Sequence, residues 1–168
     1  MRKLRCILVT LFSTVMLSGC ASLFGAKAPE EQRLYEQIGE FDGQSKDDLF
    51  VKVNAWFVDQ FNDPESVIQY SDKDAGKVMG KYVFTYSEGL YEYAVLQTMS
   101  VDVQEGRIRL QIRDPQYKVV GDIFNGSTPY INNQYRPMET QAGINHARAE
   151  WKSLYRSLVE SLRTDTSW

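Results

Sequence analysis

An α+β fold, an antiparallel sheet with two helices packed on one face, is what this sequence predicts over residues 34–168, and three observations predict it. Several short segments alternate apolar and polar residues, the period of a half-buried strand. Glycine-containing turns separate them at Asp74-Ala75-Gly76, Glu88-Gly89 and Glu105-Gly106. Two longer segments, one near each end of the domain, carry apolar residues at helical spacing.

Residues 34–41, closed by Asp42-Gly43, predict the first strand. Ser45 then stands before Lys46-Asp47-Asp48, a cap followed by acids in a first helical turn, and Leu49, Phe50, Val53, Trp56, Phe57 and Phe61 recur on one helix face. Pro64 ends that helix. Alternating segments at 67–71, 77–86, 90–103 and 107–113 predict an antiparallel meander. The alternation is complete in Arg107-Ile108-Arg109-Leu110-Gln111-Ile112-Arg113, so the sheet has one buried and one wet face. Ile144, Ala147, Trp151, Leu154, Tyr155, Leu158 and Leu162 mark the closing helix. The order is β-α-β-β-β-β-α, and two apolar helix stripes must share one sheet face, leaving the other open.

The N-terminus carries different chemistry. Arg2, Lys3 and Arg5 precede an apolar run from Cys6 to Leu17, the charged and hydrophobic regions of a signal peptide over residues 1–19. The run is shorter than the roughly 20 residues of a spanning helix. Leu17-Ser18-Gly19-Cys20 resembles the lipobox of bacterial lipoproteins, which implies that Cys20 becomes the mature N-terminus and carries a diacylglyceryl group. Residues 20–33 are expected to be the tether. Ala21 after the cysteine favours, by the same resemblance, an outer-membrane destination facing the periplasm. With Cys6 removed and Cys20 lipidated, the mature domain has no thiol for a disulfide, a redox step or a zinc site.

A second resemblance covers most of the folded part. Ser45-Lys46-Asp47-Asp48-Leu49-Phe50, Asn54-Ala55-Trp56-Phe57 and the stretch from Val67 through Asp72-Lys73-Asp74-Ala75-Gly76 to Lys81 are similar to a family of exported bacterial domains of unknown function with a TBP-like fold. The resemblance implies a curved sheet and therefore a concave surface. It lends no activity. The DNA grip of the TATA-binding protein does not carry over. Losing residues 1–19 removes three cations and no acids, leaving 16 Lys and Arg against 22 Asp and Glu, a net charge of −6. Such a domain repels phosphate backbones, so no nucleic-acid partner is expected.

Pairing the hairpins about Glu88-Gly89 and Glu105-Gly106 assigns faces. Tyr82 with Val95, Phe84 with Tyr93 and Val103 with Ile108 are expected beneath the helices. Val83 with Ala94, Lys81 with Leu96, Thr98 with Arg113 and Asp102 with Arg109 are expected on the open side. Met79, Val83, Ala94 and Leu96 then form a small apolar patch flanked by Lys81, Arg109 and Arg113, suited to an anionic or amphipathic ligand or to a partner protein; the plainer reading is a solvated face with cross-strand ion pairs. Between Pro115 and Gln141, Tyr117, Tyr130 and Tyr135 mark a candidate binding loop, or else Tyr117-Lys118-Val119-Val120 extends the sheet.

His146, the single histidine, is expected to be solvated or capping at the start of the last helix. No Ser-His-acid or Cys-His set is available. His and Cys metal sites are excluded by count, and no glycine-rich phosphate loop occurs. No cofactor is implied. These residues predict a lipid-anchored, non-enzymatic binding or scaffold module of the cell envelope with a protein partner; the alternatives are a carrier of a small amphipathic ligand and an enzyme relying on carboxylates.

Overall fold

The structure, a computed structural model, describes residues 25–61, 67–122 and 134–164. The segment 1–19 expected as a signal peptide, Cys20 and Tyr130 lie outside the described residues. A 3₁₀ turn at Glu30–Arg33 leads into β1 (Tyr35–Glu40), α1 (Lys46–Gln60), β2 (Ile68–Asp72), β3 (Lys77–Glu88), β4 (Tyr91–Gln104), β5 (Arg107–Asp122), β6 (Arg136–Pro137) and α2 (Gln141–Arg163). The strands form one antiparallel sheet in the order β1-β5-β4-β3-β2, with β6 also on β5. Both helices cover one face, as the apolar stripes require.

Each helix starts where its sequence supplies a cap. The Ser45 hydroxyl accepts from the Asp48 N–H at 3.1 Å, and the Thr140 hydroxyl from the Gly143 N–H at 3.3 Å, each satisfying an otherwise orphaned donor. Leu49, Val53, Trp56 and Phe57 of α1 and Ile144, Ala147, Trp151 and Leu158 of α2 pack on Val78, Tyr82, Val95, Met99, Val101, Ile108, Leu110 and Ile112 of the sheet. The helices are tied together as well, since Trp56 Nε1 donates to Ser157 Oγ at 3.0 Å.

One polar side chain sits inside this core. Gln97 is buried, and its Oε1 accepts from Trp151 Nε1 at 2.5 Å. Burial of the Tyr82 ring, on the neighbouring strand opposite Gln97, pushes its hydroxyl pKa far up, so that side chain stays neutral.

Four sequence expectations are corrected. The β3–β4 register is offset by two residues: Tyr82 meets Gln97, Phe84 meets Val95, Val83 meets Leu96 and Lys81 meets Thr98. The loop is the pair Gly89-Leu90, closed by Glu88 opposite Tyr91, rather than a turn centred on Glu88-Gly89. A shift of two preserves faces, so every side chain stays on its expected side. The fourth meander strand does not stop at Arg113. It bulges at Asp114, whose φ is 55°, and runs on to Asp122. Tyr117 therefore belongs to a strand, the sheet extension offered as the alternative to a binding loop, and points to the helix side with Val95. The expected tether is also partly folded: Ala28 is buried and its N–H donates to the Glu139 carbonyl at 2.7 Å, while Arg33 pairs with Glu139 at 3.1 Å.

Candidate binding face

Away from the helices the sheet shows side chains in rows, each crossing several strands at one level. The pairings Lys77–Asp102, Asp102–Arg109 and Arg109–Ile38 define one row, and Met79–Ser100–Gln111–Glu36 the next. Lys81–Thr98–Arg113 and then Val83–Leu96–Gln116 follow. The last is Thr85–Ala94–Lys118. The candidate residues Met79, Lys81, Val83, Ala94, Leu96, Arg109 and Arg113 thus share one face, but not one environment.

The half that includes β1 is closed by its own polar bonds. Asp102 receives Lys77 Nζ at 2.9 Å and Arg109 Nη2 at 2.7 Å. Partial burial works to raise the Asp102 pKa, but the hydrogen bonds and charges of those two cations outweigh it and hold the carboxyl below its ordinary range. Gln111 donates to Glu36 at 2.6 Å, and Arg107 Nε to Gln104 at 2.8 Å. Arg109 is accordingly a partner of Asp102 first, as the ion-pair reading expected. Beside this row a hollow of about 270 Å³ opens among Ile38, Asp102, Gln104, Arg107 and Arg109.

The other half is unbraced. Val83 is 48% exposed, Leu96 and Met79 are half-buried, and Lys81 is exposed with no ion pair among the described residues. Arg113 makes only a loose contact with Asp114, at 3.7 Å. Lys81 and Arg113 flank Thr98 on neighbouring strands, so the backbones of two cationic residues stand roughly 10 Å apart, two strand spacings, across a hydroxyl. Beside them runs the apolar pair Val83–Leu96. Ala94 contributes less than expected. It is 4% exposed, because its methyl lies in a row with the taller Thr85 and Lys118.

Of the tyrosines in the expected loop, Tyr135 precedes β6 and lies under Lys118, whose Nζ is 4.9 Å from the ring centroid. Tyr117 belongs instead to a line of rings on the opposite face. There Tyr86 stacks on Tyr93 at 5.1 Å and on His146 at 4.3 Å, and Tyr93 contacts Tyr117 at 6.0 Å. Sequence reasoning puts Tyr82, Phe84 and Tyr93 under the helices but misses the continuation of the line through Tyr86, Tyr117 and His146, although Tyr86 alternates with Tyr82 and Phe84 in β3. It also misses a hollow of about 340 Å³ on the outer edge of β5, where β1 pairing ends at Ile112 and β6 pairing begins at Gln116; Arg33, Leu34, Arg113, Asp114 and Met138 line it.

This architecture agrees with comparisons to known proteins. A family described as a domain of unknown function (DUF4468) with TBP-like fold matches residues 35–118, half of the chain. The chain belongs to the DUF4468 family. A crystal structure of a TBP-like protein from Parabacteroides distasonis superposes with a TM-score of 0.61 at 12% identity, covering 78% of this chain and 92% of that one. A crystal structure of a DUF4468 family protein from Bacteroides ovatus gives 0.56 at 12% identity, covering 87% and 95%. At that identity the likeness speaks for the fold. No functionally curated protein matches. DUF4468 membership brings the TBP-like sheet and no activity, so function has to be argued from this chain's own residues.

Proposed function

We propose that this DUF4468 protein is a lipid-anchored, non-enzymatic binding module of the bacterial cell envelope, held through Cys20 on the periplasmic side of the outer membrane, and that the unbraced half of its open sheet face engages a partner protein. The observation that carries this reading is the row Lys81–Thr98–Arg113 lying beside the exposed pair Val83–Leu96. Two cations with little competition from acids, next to apolar surface, suit a partner that presents a carboxylate beside aliphatic side chains. The lipid anchor is supported by Leu17-Ser18-Gly19-Cys20 after a charged and apolar leader. Two or three acyl chains hold a protein durably where one does not.

Photo-crosslinking in cells from positions 83, 96 and 113 of the full chain tests the reading. One dominant envelope protein is expected, lost on combining Leu96→Asp with Arg113→Ala. A clean absence of protein adducts refutes it. Membrane fractionation of Cys20→Ser tests the anchor separately: release from the membrane is expected, and unchanged retention refutes lipidation at that residue.

A further inference from the structure

The free edge of β3 carries a second interaction surface. β3 runs from Lys77 to Glu88, but β2 pairs with it only over Lys77–Gly80. From Lys81 onward no strand lies on that side of β3 among the described residues. Which backbone groups are left free follows from the ladder on the other side. Val103 N–H donates to the Gly76 carbonyl at 2.6 Å, and Glu88 faces Tyr91 across the two-residue hairpin loop. Even-numbered residues of β3 therefore direct their N–H and C=O toward β4, and odd-numbered residues direct theirs outward. Val83, Thr85 and Ser87 each present one N–H and one C=O at the edge and Lys81 presents its C=O, its N–H being taken by the Val67 carbonyl in the Ile68–Gly80 pairing, seven groups in all.

Folded proteins commonly blunt such an edge with proline, a bulge or several charges. The run Tyr82-Val83-Phe84-Thr85-Tyr86-Ser87 has none of these and is made almost entirely of strong strand formers. It is also self-complementary. In an antiparallel pairing of two copies, opposed residues share a face, so odd must meet odd. One register uses six of the seven groups of each copy, with Lys81 opposite Ser87 and Val83 opposite Thr85 about a two-fold axis at Phe84. That register sets Phe84 against its own counterpart and Tyr82 against Tyr86 on the helix side, aromatic pairs of the favourable cross-strand kind. It places no like charges opposite one another.

We infer that two copies of this chain associate through the β3 edge, Phe84 on the two-fold axis, joining their sheets into one and setting their Val83–Leu96 patches side by side. The inference does not depend on lipid at Cys20 or on what the open face binds.

Disulfide trapping in the full chain tests it. Val83→Cys and Thr85→Cys chains are co-expressed and mildly oxidised. Residues opposed in a hydrogen-bonded pair lie about 5.5 Å apart between Cα atoms, within disulfide range, whereas in this register position 83 is roughly 9 Å from its own counterpart, beyond it. The expected result is a covalent dimer when both variants are present and none above the background of the unmodified chain when either is alone. Thr85→Pro removes only outward-facing hydrogen bonds and leaves the β3–β4 ladder intact. In detergent it should reduce the particle from two protein chains to one by light scattering. A single-chain particle for the unmodified protein overturns the inference, and so does a dimer untouched by Thr85→Pro. A different protein trapped at position 85, with no covalent dimer of this chain, overturns it in favour of a foreign strand.

Discussion

Neighbouring residues Val95 and Leu96 give the most direct test of how the sheet divides inside from outside. Val95 is fully buried beneath the helices, and Leu96 is half-buried on the open face. An aspartate at Val95 forfeits about 1.5–3 kcal/mol of apolar burial and must place a carboxylate in the core without a partner, a further cost of at least several kcal/mol. The sum is comparable to the whole stability of a domain, about 5–15 kcal/mol, so Val95→Asp should fail to fold. Leu96→Asp forfeits roughly half of a leucine's burial, on the order of 1 kcal/mol, and its carboxylate stays hydrated. For a domain of about 150 residues that lowers Tm by roughly 2–5 °C. Circular dichroism melts of the two variants decide the matter. Equal loss of structure in both would refute the face assignment, and with it the surface on which the binding proposal stands.

Two further outcomes follow from the geometry. Gly76 (φ +62°) would bring an added Cβ within 2.4 Å of the Val103 carbonyl, whereas Gly43 (φ +79°) has open space around it; Gly76→Ala should therefore cost well over 2 kcal/mol in chemical denaturation and Gly43→Ala only about 1. In the folded protein the Asp102 carboxyl is held below its ordinary pKa by Lys77 and Arg109, so its stabilisation is present above about pH 4 and is lost as pH falls through the folded value. Because the cluster is partly solvated, Asp102→Asn should cost up to about 1 kcal/mol at neutral pH, with the difference in Tm from the unmodified chain shrinking as pH falls below about 4; a constant difference would contradict this.

Much of this was legible in the chain because period-two alternation survives errors of even register. Arg107 to Arg113 declares its faces outright, and alternation puts Val83 and Leu96 on the correct side although the hairpin pairing gives each the wrong partner. Ser45 announced its helix by chemistry that acts within one turn. What stayed hidden depends on contacts distant in sequence. Pro115 reads as the end of a strand, yet at the Asp114 bulge its missing N–H costs the ladder little, and its carbonyl takes the Met138 N–H at 2.8 Å. Residues 26–33 have no periodicity, and the distant Glu139, Gln141 and Arg148 give backbone partners to Ala28, Ala26 and Gln32. The aromatic line under the helices joins Tyr86 to His146 across sixty positions, which no local pattern expresses.

The folding of residues 26–33 onto the domain also sets a distance. The Ala26 carbonyl is held by the Gln141 N–H at 2.7 Å, so only six peptide links separate fixed backbone from Cys20. Six residues reach at most about 20 Å when fully stretched, while a domain of this length measures on the order of 40 Å across. With lipid on Cys20, the leash is shorter than the body it holds. The domain can roll on the bilayer but cannot step back from it by its own width, and whatever meets its open face must itself reach within about 60 Å of the membrane surface, the stretched leash plus the body.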